Sequence, residues 1–135
     1  MKEMTIDAAV ENIPVVEDFV NEQLETHGCS MKVQTQINIA IDELFGNIAN
    51  YAYDPDVGPA TVRVELMEVP LSVVITFIDG GIPYDPLKKE DPDTTLSAEE
   101  RQIGGLGIYM VKKSMDAVEY EYKDGQNILR ITKKL

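Results

Sequence analysis

Glu43, Asn47 and Asn50 stand at i, i+4 and i+7 within residues 42–53, DELFGNIANYAY, a stretch of helical periodicity. On a helix the three fall on one side, roughly one above another. A carboxylate and two carboxamides in a row offer a proton acceptor and hard oxygen ligands. A polar flank on a half-exposed helix is the plainer reading of the same pattern. Two glycine-rich turns downstream favour chemistry: Asp79-Gly80-Gly81-Ile82-Pro83, and Gly104-Gly105-Leu106-Gly107 running straight into a helical pattern. A glycine-rich turn that opens a helix attracts anions, because unpaired N–H groups and the helix dipole point at the ligand. Neither turn matches the dinucleotide fingerprint or the Gly-x-x-x-x-Gly-Lys-Ser/Thr phosphate loop. A polyphosphate in an acidic protein needs a divalent ion, to which Asn47 could lend an oxygen. Glu43, one turn away, is then placed as a general base for an attacking water or hydroxyl.

The elements that must position these residues are legible from periodicity. Residues 2–10 read as an edge strand, and Pro14 at an early helical position starts a first helix capped near Glu11 or Asn12. Val15, Val16, Phe19, Val20 and Leu24 supply its apolar face and Gly28 stops it. Ser30 caps a second helix that runs to about Tyr53, where Asp54-Pro55 breaks it. Its core stripe is Ile37, Ile41, Leu44, Phe45 and Ile48. Gly46, inside it, costs about 1 kcal/mol relative to alanine, consistent with either a ligand or a close-packed neighbour on that side. The period then switches to two over residues 61–68 and 71–78, a hairpin turned at Val69-Pro70. Residues 84–103, rich in charge and proline, read as a lid between the glycine turns, with a short helix near Ser97 to Glu100. A third helix follows Gly107, and strands at 118–122 and 128–132 flank the turn Asp124-Gly125. The order implies one α+β domain over 1–135: a two-layer sandwich, helices on one face of a mixed, mainly antiparallel sheet.

Composition narrows the classes. The chain has 135 residues, 44% hydrophobic and 27% charged, ordinary for a globular protein. No apolar run is long enough for a membrane span, and residues 1–10 lack a signal-peptide core. Twenty-four acidic against twelve basic residues give a formal net charge of −12, which opposes direct contact with nucleic acid and suits docking to a basic patch on a protein. Cys29 stands alone, so no internal disulfide forms, as expected of a cytoplasmic protein. His27, the one histidine, reads as a residue of the first helix's last turn.

Glu43-x-x-x-Asn47, Asp79-x-Gly81-x-Pro83 and Gly104-Gly105-x-Gly107 together resemble the N, G1 and G2 boxes of the GHKL ATPases, in order and along nearly the whole chain. Within that superfamily the chain is most similar to the stand-alone anti-sigma factor serine/threonine kinases. The resemblance implies the Bergerat ATP-binding fold, ATP or ADP with Mg²⁺ as cofactors, and two protein partners, a sigma factor and a STAS-type anti-anti-sigma protein that is phosphorylated. It leaves a homodimer open. It makes Glu43 the general base and Asn47 the Mg²⁺ ligand, with Asn50 in support. Asp79 would accept a hydrogen bond from the adenine amino group, and Gly81 would let the ring approach. Gly104, Gly105, Leu106 and Gly107 would face the phosphates. Pro83 takes the place of a second G1 glycine, as is familiar in this subgroup. Tyr51 stands where the anti-sigma kinases commonly have histidine. Asn127 follows Gly125-Gln126 where many relatives have Gly-Thr-Thr, so the threonine contact to adenine is lost or passes to Asn127. Arg101 stands where a lid arginine could reach the terminal phosphate, or serves only the surface. A nucleotide-gated binding module without transfer, and a histidine-kinase-type ATPase domain, are the alternative readings.

Overall fold

The computed structural model describes residues 1–88 and 105–135, with the backbone alone at 105 and 106. Strand β1 (Lys2–Asp7) leads through a single 3₁₀ turn into helix α1 (Ile13–Thr26) and helix α2 (Met31–Asn47), which continues as a π-helical turn, Ile48–Ala52. Strands β2 (Pro59–Glu68) and β3 (Leu71–Asp79) follow, then α3 (Gly105–Ser114), β4 (Ala117–Lys123) and β5 (Gln126–Lys134). The strands form one sheet in the order β1-β2-β3-β5-β4 with every pairing antiparallel. The expected α+β sandwich is therefore present, its sheet wholly antiparallel.

Local chemistry explains the boundaries. Pro14 sits in the first turn of α1, where its missing N–H costs nothing. Asn12 precedes the helix but does not cap it with its side chain, donating instead to the Asp7 carbonyl at 2.9 Å. Gly28, at φ 71°, ends the helix in the left-handed region, which glycine enters without a Cβ penalty. The Ser30 hydroxyl accepts from the Val33 N–H at 3.3 Å and caps α2. Asp124 at φ 53° and Gly125 at φ 77° join β4 to β5 with the positive-φ pair a two-residue hairpin requires.

The core lies between the helices and one face of the sheet. Val62 and Val64 from β2, Val73, Ile75 and Phe77 from β3, and Leu129 and Ile131 from β5 meet Val16, Val20, Leu24, Ile37, Ile41, Leu44 and Phe45 from α1 and α2. Each such side chain taken out of water contributes about 1.5–3 kcal/mol. Val15, expected in this core, is exposed. The other sheet face is polar, with Arg63 paired to Glu3 at 2.5 Å and the hydroxyls of Thr5 and Thr61 bonded at 2.9 Å across β1 and β2. Among the described residues no helix is long and apolar enough to cross a membrane.

Candidate functional site

Strand β3 ends at Asp79, directly opposite Asn127 at the start of β5. Both side chains are buried although both are polar, with 5% and 6% of their surface exposed. Burial of a carboxylate demands hydrogen-bond donors. Asp79 Oδ1 receives two, from the Gly81 N–H at 2.9 Å and from Asn127 Nδ2 at 3.0 Å. Asn127 Nδ2 also donates to the Ile82 carbonyl at 2.8 Å, while its Oδ1 accepts from the Tyr84 N–H at 3.1 Å and from the Tyr120 hydroxyl. Burial pushes the Tyr120 phenol above its usual range, so the group stays protonated and donates.

The turn after β3 is seated on the end of α2. Ile82 N–H donates to the Ala52 carbonyl at 2.9 Å. A Cβ on Gly81 would stand 2.6 Å from both the carbonyl carbon and the Cβ of Ala52, and closer still to its oxygen. Glycine is therefore required here by a backbone neighbour. The Tyr53 hydroxyl donates to the Pro59 carbonyl at 2.6 Å and accepts from the Gly80 N–H at 2.7 Å. Its ring lies against Gly58, where a Cβ would fall 2.5 Å from the ring. Burial raises the Tyr53 phenol, the Gly80 N–H opposes that, and the charge of Asp79 adds to it.

These contacts frame a pocket of about 420 Å³, open mouth included. Leu44, Asn47, Ile48, Tyr51 and Ala52 from the α2 side and Asp79, Ile82, Tyr84, Pro86, Tyr120, Asn127 and Leu129 from the sheet side line it. Its walls are apolar and aromatic, with the Tyr51 and Tyr84 rings 6.4 Å apart and tilted 41° to one another. Among the described residues Asp79 Oδ2 takes no hydrogen bond, so a ligand's amino group can donate to it. The pocket suits a flat heteroaromatic ring that carries such a group.

The expected site residues do not all converge. Asn47 is half-buried and lines the pocket, one turn beyond Glu43. Asn50 is exposed and does not line it. The reason is the π turn, whose i→i+5 hydrogen bonds widen the helix and carry position 50 out of the row. Tyr51 and Ala52 face the pocket in its place. Pro83 is also exposed and outside the lining. Gly46 sits against α1, with Ile13 Cδ1 the nearest neighbour of an added Cβ at 3.9 Å, so the glycine meets a helix and no ligand space. Asn127 stands at the base of the pocket with both its donors and both its acceptor positions used by the protein.

Gly105 opens α3 and Gly107 lies in its first turn. The Glu43 carboxylate rests against Gly107: an added Cβ there would stand 2.5 Å from Oε1 and nearer to Cδ and Oε2. The start of α3 thus faces the very carboxylate that the sequence marks as a base. Arg101, Gly104, most of the expected lid and its short helix lie outside the described residues. Residues Pro86–Lys88 form a 3₁₀ turn. Among the described residues no group of three His, Cys, Asp or Glu side chains could hold a metal. The Asn47 carboxamide on the pocket wall is a hard oxygen donor of the kind a hydrated divalent ion accepts.

Sequence periodicity overlooked Tyr53, Tyr84 and Tyr120. Alternation through β4 places Tyr120 on the same side as the core residue Val118, a signal available in advance. The reach of Tyr53 to two strand ends has no local signature.

Known proteins agree with this geometry. The model of the histidine kinase-like ATPase domain matches residues 6–133. The serine/threonine-protein kinase BtrW of Bordetella bronchiseptica is 29% identical over 103 residues, covering 76% of this chain and 72% of that protein. The serine-protein kinases RsbW of Bacillus cereus and Bacillus mycoides are each 28% identical over 131 residues, covering 94% of this chain and 81% of theirs. An antiparallel α+β sandwich, an acidic side chain at the base of an apolar pocket, a Glu-Asn pair on its helical wall and a match over almost the whole chain lead to one conclusion: the protein belongs to the histidine kinase-like ATPase family, the GHKL group.

Proposed function

We propose that the protein is an ATP-dependent serine/threonine protein kinase, an anti-sigma factor that binds a sigma factor and phosphorylates a small anti-anti-sigma partner. The observation that carries this reading is the buried Asp79, one oxygen saturated and the other directed to an apolar pocket, with Asn47 on the facing wall and Glu43 one turn away. The names of the RsbW and BtrW relatives support protein phosphorylation as the reaction.

In this reading the adenine ring lies in the apolar slot and its amino group donates to Asp79 Oδ2. The Asn47 carboxamide oxygen would hold Mg²⁺, which when bound neutralises charge on the phosphates. Backbone N–H groups at the start of α3 orient the phosphates. Glu43 accepts the proton of the acceptor hydroxyl as it attacks, and Gly107 leaves the carboxylate room to lie beside α3. Arg101, Gly104 and Gly105 are assigned to the phosphates from their place in the motif.

Incubation with radiolabelled ATP, Mg²⁺ and the cognate anti-anti-sigma protein tests the proposal. Transfer by wild type that disappears in Glu43→Ala is expected. No transfer by wild type, or undiminished transfer by Glu43→Ala, refutes it. Nucleotide-sensitive partner affinity without any transfer would identify a gated binding module instead.

A further inference from the structure

Asn127 makes four hydrogen bonds to the protein and so has none to offer a ligand. Two acceptors, Asp79 Oδ1 and the Ile82 carbonyl, surround its amide nitrogen. Two donors, the Tyr84 N–H and the Tyr120 hydroxyl, surround its oxygen. The reversed amide would set an NH₂ group against two donors, so chemistry fixes the orientation. The Asp79 carboxylate is bound in turn: both donors to it arrive at Oδ1, one from the Gly81 backbone and one from Asn127.

We propose that Asn127 sets nucleobase selectivity without touching the base, by holding the Asp79 carboxylate so that Oδ2 faces the pocket. This rests on the nucleotide reading of the pocket. With both protein donors taken at Oδ1, Oδ2 is the oxygen left to accept from a ligand. Such an oxygen binds a base with an exocyclic amino group and repels one with a carbonyl at that position. A carboxylate freed from that donor would turn about its Cβ–Cγ bond, and the discrimination would fall. Asn127 is thus a positioning residue: its amide nitrogen supplies the donor that fixes the carboxylate's orientation, and Tyr120 and Tyr84 hold that amide in place.

Two substitutions separate this role from mere support. Asn127→Asp puts an acceptor where the donor stood, so Asp79 Oδ1 loses its side-chain partner. Asn127→Leu removes the donor at similar volume. Dissociation constants for ATP and for inosine triphosphate, which carries a carbonyl where ATP has the amino group, are measured by calorimetry at one pH with Mg²⁺. Thermal melting without nucleotide confirms that each variant is folded, and Asn127→Leu decides if Asn127→Asp is not. Wild type is expected to prefer ATP. Both variants should lose about tenfold or more of that preference. Equal weakening of both nucleotides in both variants, with the ratio intact, overturns the proposal and leaves the nucleotide pocket standing. Failure of wild type to bind either nucleotide overturns the pocket reading and the proposal with it.

Discussion

Two glycine-to-alanine substitutions on either side of one helix should move stability in opposite directions. At position 81 the new methyl would stand 2.6 Å from two Ala52 atoms and nearer still to the Ala52 oxygen, where ordinary contact begins near 3.4 Å, so the turn and the helix end must part by about an ångström or more. The obstacle is backbone at the end of α2, which cannot swing aside as a long side chain can. Overpacking of this kind costs about 1–3 kcal/mol, and loss of the Ile82–Ala52 hydrogen bond adds about 1 kcal/mol. Gly81→Ala should therefore cost about 2–4 kcal/mol, lowering the melting temperature by about 6–16 °C for a chain of this size. At position 46 the nearest neighbour of a new methyl is Ile13 Cδ1 at 3.9 Å, an ordinary contact. There the substitution gains helix propensity worth up to about 1 kcal/mol and should raise the melting temperature by a few degrees. Circular dichroism melts of both variants at one pH read the contrast. A Gly81→Ala protein melting within about 2 °C of wild type would show that the turn has room to retreat, and the steric argument would fail.

Three further expectations follow from single contacts. Gly107→Ala forces the Glu43 carboxylate away from α3; because that side chain is flexible, stability should change by less than about 1 kcal/mol while phosphoryl transfer falls by at least about tenfold, as separate melting and transfer assays would show. Burial and a shared hydrogen bond with Asp42, helped by the charges of Asp42 and Asp18, push the Glu17 carboxyl up from 4.5 to about 7. A raised folded-state value means stability is lost as pH climbs from 4.5 through 7, so Glu17→Gln should melt above wild type at pH 8 and lose that advantage towards pH 4.5. Arg63→Ala breaks an ion pair whose side chains are each 45% exposed, and chemical denaturation should find a change below about 1 kcal/mol.

Much of the fold was legible because its signals are local. Pro14, Ser30, Gly28 and the Asp124-Gly125 pair mark boundaries through their own backbone chemistry, and alternation in β2 separates Val62 and Val64 from Arg63 and Glu65. Asp79 and Asn47, singled out by residue type, do line the pocket, whereas Gly81 is demanded by the Ala52 backbone and not by the ligand clearance expected of it. What escaped detection depends on phase and distance. The π turn leaves no mark in hydrophobic spacing, so the row Glu43, Asn47, Asn50 looked straight, and Tyr51 and Ala52 were not seen as its true continuation. The role of Asn127 stayed open because its sequence position says nothing of the four partners that sheet register and the turn after β3 bring to it. Val15 fits an apolar stripe by spacing, yet nothing in the sequence announces that the stripe is narrower than the pattern.

The Tyr53 hydroxyl bonds the residue that begins β2 and the residue just past the end of β3, and the Ile82–Ala52 bond ties the same turn to the helix end. Amides in irregular segments ordinarily exchange with solvent through small independent openings. Here Gly80, Gly81 and Ile82 have all three N–H groups engaged, by Tyr53, Asp79 and Ala52 in turn. Exposure of any one requires release of the turn from both the helix and the sheet. The segment outside the regular ladder should accordingly retain deuterium-exchange protection as a single cooperative unit, so the recognition edge of the pocket is kept ready-formed by the fold that surrounds it.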